Sequence, residues 1–163
     1  MAEIILKRAK PKKYYNKDAI SKTIHYIYRK DRRGNTNIYG SFGAFGTDTD
    51  SIIGDFMKLK KLHHKSDGLQ LVHYILSFPT DFVEPPKNRF RELIIRTAKI
   101  WGKDFQVAYA LHEKTDNLHV HFIINATSYS GKKISITNKR FYKYKKLACR
   151  IWKEYETENR NDL

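Results

Sequence analysis

His112-Glu-Lys-Thr-Asp-Asn-Leu-His119-Val-His121-Phe-Ile-Ile-Asn125 reads as the end of one β-strand, a polar turn and the strand that returns. Side chains alternate faces along a strand, so His119 and His121 point the same way while Val120, Phe122 and Ile124 enter apolar packing. If the six residues from Glu113 to Leu118 reverse the chain, as Asp116-Asn117 suggests, His112 lies opposite or nearly opposite His119. Cross-strand β-carbons stand roughly 4.5 to 5.5 Å apart, so three imidazoles can converge on one ion. Three neutral imidazoles suit Mn²⁺, Zn²⁺ or Ni²⁺ better than Mg²⁺ on softness grounds, and they leave coordination positions open for a phosphate oxygen.

Outward from this hairpin the chain reads as α+β. A short strand is expected over Glu3 to Lys7, then a helix from Asp18 whose Ile20, Ile24 and Ile27 form one apolar stripe, ended by the basic, glycine-containing segment Arg29 to Gly34. The glycine-rich stretch from Asn35 to Gly46 reads as a loop, with Tyr39, Phe42 and Phe45 offering faces on which bases stack. A second helix from about Asp50 to Leu62 would bury Ile52, Ile53, Phe56, Leu59 and Leu62, and a strand follows from Leu69 to Phe78. A third helix after Pro85-Pro86 puts Phe90, Leu93, Ile94, Thr97 and Trp101 on its inner face, with Gly102 at its end. Strands from Phe105 to His112 and His119 to Asn125 precede a last helix from about Asn138, which buries Phe141, Tyr144, Ala148, Ile151 and Trp152. This order implies one domain over residues 1–163, with helices packed on a central, mostly antiparallel sheet that carries the His-x-His strand.

Composition narrows the partners. Among 163 residues, 32 Lys and Arg face 17 Asp and Glu, a net charge of +15, which favours polyanions, nucleic acid first. A single cysteine, Cys149, excludes an internal disulfide and a zinc site of several thiolates, and its place in a helical pattern reads as core filler. No stretch approaches a membrane span, the N-terminal apolar run is too short for a signal peptide, and a cytoplasmic protein is expected. No phosphate-binding Gly-x-x-x-x-Gly-Lys-Ser/Thr loop is present.

His-hydrophobic-His on a strand is the signature of the HUH endonucleases, and the chain resembles their mobilisation relaxases of the MobA/VirD2 type. Three segments carry the resemblance in family order: Tyr26-Ile-Tyr-Arg-Lys-Asp31, His73-Tyr-Ile-Leu-Ser77-Phe78 and the block from His112 to Asn125. The resemblance implies the ferredoxin-like, palm-type sheet of that superfamily. It also implies a site- and strand-specific nick in single-stranded DNA at a transfer origin, for conjugative plasmid mobilisation. A tyrosine attacks the scissile phosphate, the 3′-hydroxyl leaves, and the protein stays on the 5′ end. The divalent ion is then Mn²⁺ or Mg²⁺, with Zn²⁺ or Ni²⁺ able to occupy the site. Partners are single-stranded DNA and accessory relaxosome proteins, with no membrane and no small-molecule substrate. Lys114 departs from the family pattern, in which many relatives carry an acid that orients a ligand.

On a helix with about 100° per residue, Tyr26 points away from the isoleucine stripe while Tyr28 lies nearer to it and packs; this position, together with the resemblance of the segment from Tyr26 to Asp31 to the family's motif around its catalytic tyrosine, makes Tyr26 the expected nucleophile. Arg29 and Lys30 beside it, Ser77, and Lys143, Lys145 and Lys146 on the last helix are the expected DNA contacts. Two alternatives stay open. In a rolling-circle initiator or single-tyrosine transposase of the same superfamily the nucleophile follows the histidine pair, which would select Tyr142 or Tyr144. A non-enzymatic basic DNA-binding accessory protein would use the histidines for a structural metal or none.

Overall fold

The computed structural model describes residues 3–34, 37–113 and 117–161. Five strands form one sheet in the order β1-β3-β5-β4-β2, and every neighbouring pair is antiparallel. They are β1 (Ile5–Arg8), β2 (Tyr39–Phe42), β3 (Leu71–Ser77), β4 (Phe105–His112) and β5 (His119–Ser128). Central β5 is buried along almost its whole length, which agrees with its near-continuous apolar run Val120 to Ala126. The fold is the expected α+β arrangement of helices on an antiparallel sheet. Among the described residues, no helix is long and apolar enough to cross a membrane.

Helices cover both faces. On one side α4 (Lys87–Gly102) and α5 (Asn138–Asn161) pack against Tyr74, Leu76, Val107, Val120 and Phe122. Tyr74 stacks between Trp101 and Phe141, with ring centroids 5.1 and 5.8 Å away, and the Trp152 indole donates to Thr97 Oγ1 at 3.1 Å. On the other side α1 (Ala19–Ile27) and α3 (Thr49–Leu62) pack on Leu71, Ala108, Ala110 and Ile123. The two alanines leave room for the isoleucine stripe Ile20, Ile24 and Ile27, all fully buried. The histidine faces of β4 and β5 lie on this α1 side, because alternation puts His112 with Ala108 and Ala110, and His121 with Ile123.

Four expectations change. The stretch 35–46 is not all loop: β2 lies within it as an edge strand on β4, with Gly40 opposite Tyr109. Glycine is required there, since a β-carbon at Gly40 would stand 2.8 Å from the Tyr109 hydroxyl. The segment after α1 does not simply end it but winds a further short turn, α2 (Lys30–Arg33). On α3 the buried stripe runs Ile52, Phe56, Lys60, a strict i+4 ridge, and Leu62 is 71% exposed. Lys60 reaches Thr127 Oγ1 at 3.4 Å, and burial pushes its ammonium down to about 7. Finally, Cys149 is half-buried rather than core filler.

Caps follow the sequence more loosely. Asp18 occupies the position before α1 but its carboxylate accepts from Lys22 Nζ at 2.7 Å, not from the helix backbone. α3 instead opens with a capping box between Asp48 and Ser51.

Candidate metal centre and nucleophile

Strands β4 and β5 pair with His112 directly opposite His119, the register expected of the hairpin, and His121 two residues on. The turn residues Lys114 to Asp116 lie outside the described part. Among the described residues, His112, His119 and His121 bring one ring nitrogen each within 4.8 Å of one another. Ring centroids are 4.2 Å apart for His112 and His121, and 4.8 Å for His119 and His121.

Hydrogen bonds decide which nitrogen each ring offers. His112 Nε2–H donates to the Ile27 carbonyl at 2.8 Å, and His119 Nδ1–H donates to the Asn117 carbonyl at 2.7 Å. A carbonyl oxygen only accepts, so a neutral ring keeps its lone pair on the other nitrogen. For His112 that is Nδ1, which is buried and has no hydrogen-bond partner among the described residues. His121 Nε2 is likewise buried and without a partner, while its Nδ1 meets His73 Nε2 at 2.7 Å. Unpaired buried ring nitrogens are costly. Two of them in one cluster, with neutral nitrogen donors, fit a divalent ion of borderline softness.

Charge is arranged to suit. Burial lowers His112 to about 4, and its bond to Ile27 only partly offsets this. His121 is pushed down further, by burial first and then by its neighbours His73, His112 and His119. The His112 and His121 imidazoles are therefore unprotonated near neutrality, as metal ligands must be.

This arrangement makes acid destabilising. In protein stripped of divalent ions, the unfolded chain takes up protons near pH 6.5, whereas His73 and His112 resist until about 4. Folded values below the unfolded ones mean no penalty above about pH 6.5 and a growing one as pH falls toward 4. Urea unfolding of the ion-free protein at pH 7 and pH 5 is expected to differ by on the order of 2–4 kcal/mol. Equal stability at both values would contradict the neutral cluster.

Tyr26 stands on the last turn of α1 with its ring edge against the cluster, centroids 5.7 Å from both His112 and His121. It is 38% exposed, while Tyr28 is buried and donates to the Gly40 carbonyl at 2.5 Å. The His112 bond to Ile27 ties that same helix turn to the cluster. Ser77 ends β3 directly opposite His119 on the histidine face and is partly exposed. Arg29 is held by Asp31 at 2.7 Å, and Lys30 is exposed.

Other expected contacts lie elsewhere. Tyr144 packs edge-on against Tyr74 and Trp101 on the far side of the sheet, and Tyr142, 60% exposed, shares its helix with Lys143, Lys145 and Lys146. The stacking faces are also redistributed. Tyr39 carries the Arg33 guanidinium 3.7 Å from its ring centroid, Phe42 packs against Gly102, and Phe45 alone of the three is almost wholly exposed. No sequence motif assigns a role to His73 or Tyr14. Their shared face with the cluster depends on β3 lying beside β5, and the one signal available was that His73 and Ser77 share a strand face.

The family model described as the MobA/VirD2-like relaxase nuclease domain matches residues 26–157. No curated protein matches the sequence. A solved structure described as the molecular basis of vancomycin resistance transfer in Staphylococcus aureus is similar in fold. Its TM-score is 0.61 at 12% identity, over 97% of this chain and 94% of that one.

Proposed function

Since the chain belongs to the MobA/VirD2-like relaxase nuclease-domain family, we propose that it nicks one strand of DNA at a transfer origin by tyrosine transesterification, with Tyr26 as nucleophile. The observation that carries this reading is the placement of Tyr26 at 5.7 Å, ring to ring, from two of the three clustered histidines. Its hydroxyl oxygen forms the new bond to phosphorus, the bond from phosphorus to the 3′-oxygen breaks, and that oxygen leaves with a proton as the 3′-hydroxyl. The 5′ end stays on the protein. One phosphoester replaces another, so rejoining needs no nucleotide cofactor.

His112, His119 and His121 would hold a divalent ion, Mn²⁺ or Mg²⁺ first and Zn²⁺ or Ni²⁺ as alternatives. Bound there, the ion supplies Lewis-acid stabilisation of charge on a non-bridging phosphate oxygen. The chain itself restrains the nucleophile. The Tyr26 ring is wedged against two imidazoles, and the Ile27 carbonyl accepts from His112, so the turn of α1 cannot shift without disturbing the cluster. Arg29, Lys30 and Ser77 flank this spot and would steady the backbone of a single strand near the cut. An open cavity of about 790 Å³, lined by Tyr28, Lys30, Arg33, Tyr39 and Asp48, has the volume to take a nucleotide. Lys143, Lys145 and Lys146 would meet DNA only away from the cut, across the sheet. We take residues 1–163 as one relaxase domain acting in the cytoplasm with accessory relaxosome proteins.

A net charge of +15 serves binding of a polyanion but does not distinguish cutting from binding. The class is tested with a randomised single-stranded oligonucleotide library and Mn²⁺, followed by denaturing electrophoresis. A protein band carrying 3′-end label but not 5′-end label is expected. DNA binding with no denaturation-resistant band would favour the non-enzymatic accessory protein.

A further inference from the structure

His121 differs from its two partners in what holds its outer nitrogen. His112 and His119 each donate to a backbone carbonyl, which permits one tautomer. His121 Nδ1 instead faces another imidazole, Nε2 of His73, at 2.7 Å, and His73 Nδ1 in turn faces the Tyr14 hydroxyl at 2.8 Å. Either ring of such a pair can carry the shared proton, so the tautomer of His121 is set by whatever fixes His73. Tyr14 is the group at the end of this chain. It sits on a 3-10 turn (Pro11–Tyr14) whose last carbonyl accepts from the Gln70 amide at 2.8 Å, just before β3 begins.

We propose that His73 and Tyr14 are positioning residues for the metal centre, forming a neutral relay that keeps the proton of His121 on Nδ1 and its Nε2 lone pair turned inward. This rests on the metal-centre reading above. Atom by atom, His121 Nδ1–H donates to His73 Nε2, and His73 Nδ1–H donates to the Tyr14 oxygen. Reversing the relay would put a proton on His121 Nε2, pointing into the cluster where a ligand lone pair is needed. His73 and Tyr14 are both buried, so water does not compete for these contacts.

Placement on the sheet makes the relay rigid. His121 pairs with Ile75 and His73 with Ile123, so the two histidines are diagonal neighbours on one face of adjacent strands. Outer partners of metal-bound histidines are commonly carboxylates, backbone carbonyls or water. An imidazole backed by a phenol adds no negative charge. The bound ion would thus keep its full charge for a phosphate, at the expense of weaker ligand basicity than a carboxylate would give.

Mn²⁺ affinity, read from the free-ion signal in an electron paramagnetic resonance titration, is the direct test. His73→Leu is expected to weaken Mn²⁺ binding roughly 10- to 100-fold. His73→Gln, whose amide oxygen can accept from His121 and whose NH₂ can donate to Tyr14, should recover most of it. Tyr14→Phe should fall between the two. In the ion-free protein, nitrogen NMR should find the His121 proton on Nδ1, and a mixture of tautomers in Tyr14→Phe. A folded His73→Leu protein that binds Mn²⁺ like the parent would overturn the relay, as would a parent His121 protonated on Nε2. Should His73→Leu fail to fold, a Tyr14→Phe protein with parental Mn²⁺ affinity and an unchanged His121 tautomer would overturn it too. A parent chain that binds no Mn²⁺ would instead bring down the metal-centre reading itself, and the relay with it.

Discussion

Tyr26→Phe is expected to abolish the covalent protein–DNA adduct while leaving the fold unchanged. The substitution removes one oxygen and keeps the ring, so the edge contacts to His112 and His121 survive. Tyr26 is 38% exposed and lies outside the buried core, so a stability change within about 0.5 kcal/mol is expected. Loss of the attacking atom itself has no local substitute. Tyr28 is buried and its hydroxyl donates to Gly40, so it is not free to replace Tyr26. Cleavage should drop on the order of 10⁴-fold or more, the scale seen when a catalytic nucleophile is removed. Tyr142→Phe and Tyr144→Phe, both across the sheet, should cut at the parental rate. Adduct that persists in Tyr26→Phe and disappears in Tyr144→Phe would transfer the nucleophile to α5 and favour the initiator or transposase mechanism.

His121→Ala should have the second largest effect, and a different signature. It deletes a ring whose Nε2 is one of two buried cluster nitrogens without a partner among the described residues, and it also leaves His73 Nε2 without its partner. Cleavage is expected to fall at least about 100-fold, the scale of losing one preorganised charge-stabilising group. Mn²⁺ affinity should fall in parallel, and in the parent a chelator should stop cleavage until Mn²⁺ is restored. Tyr26→Phe, by contrast, should bind Mn²⁺ normally. Chelator-resistant cleavage would show that the cluster serves structure and not the reaction.

Much of this site was legible because it is local. One strand, one turn and period-two alternation are enough to face His112 with His119 and to set His121 beside them. The orientation of Tyr26 followed from the helical stripe of Ile20, Ile24 and Ile27, which also made Tyr28 the packed residue. What escaped depends on long-range order. The relay from His121 through His73 to Tyr14 exists because β3 lies between β1 and β5, an adjacency that no local pattern encodes. β2 was hidden because Gly40, which sits where Tyr109 crowds the backbone, and the glycines that follow the strand are the usual sign of a loop. Lys60 escaped because a charged residue in a buried stripe contradicts the hydrophobic pattern from which the stripe is read. The place of the basic helix α5 on the sheet was likewise not legible. Its lysines were correctly placed on a helix, but composition does not say that the helix covers the face opposite the histidines.

Tandem mass spectrometry of the digested adduct reads out whether Tyr26 is joined to the 5′ end of the nicked strand. A nucleotide 5′-phosphate carried on Tyr26, within Thr23-Ile-His-Tyr-Ile-Tyr-Arg29, is the result expected. The same mass on Tyr142, Tyr144 or Tyr28, or on no tyrosine at all, would contradict it.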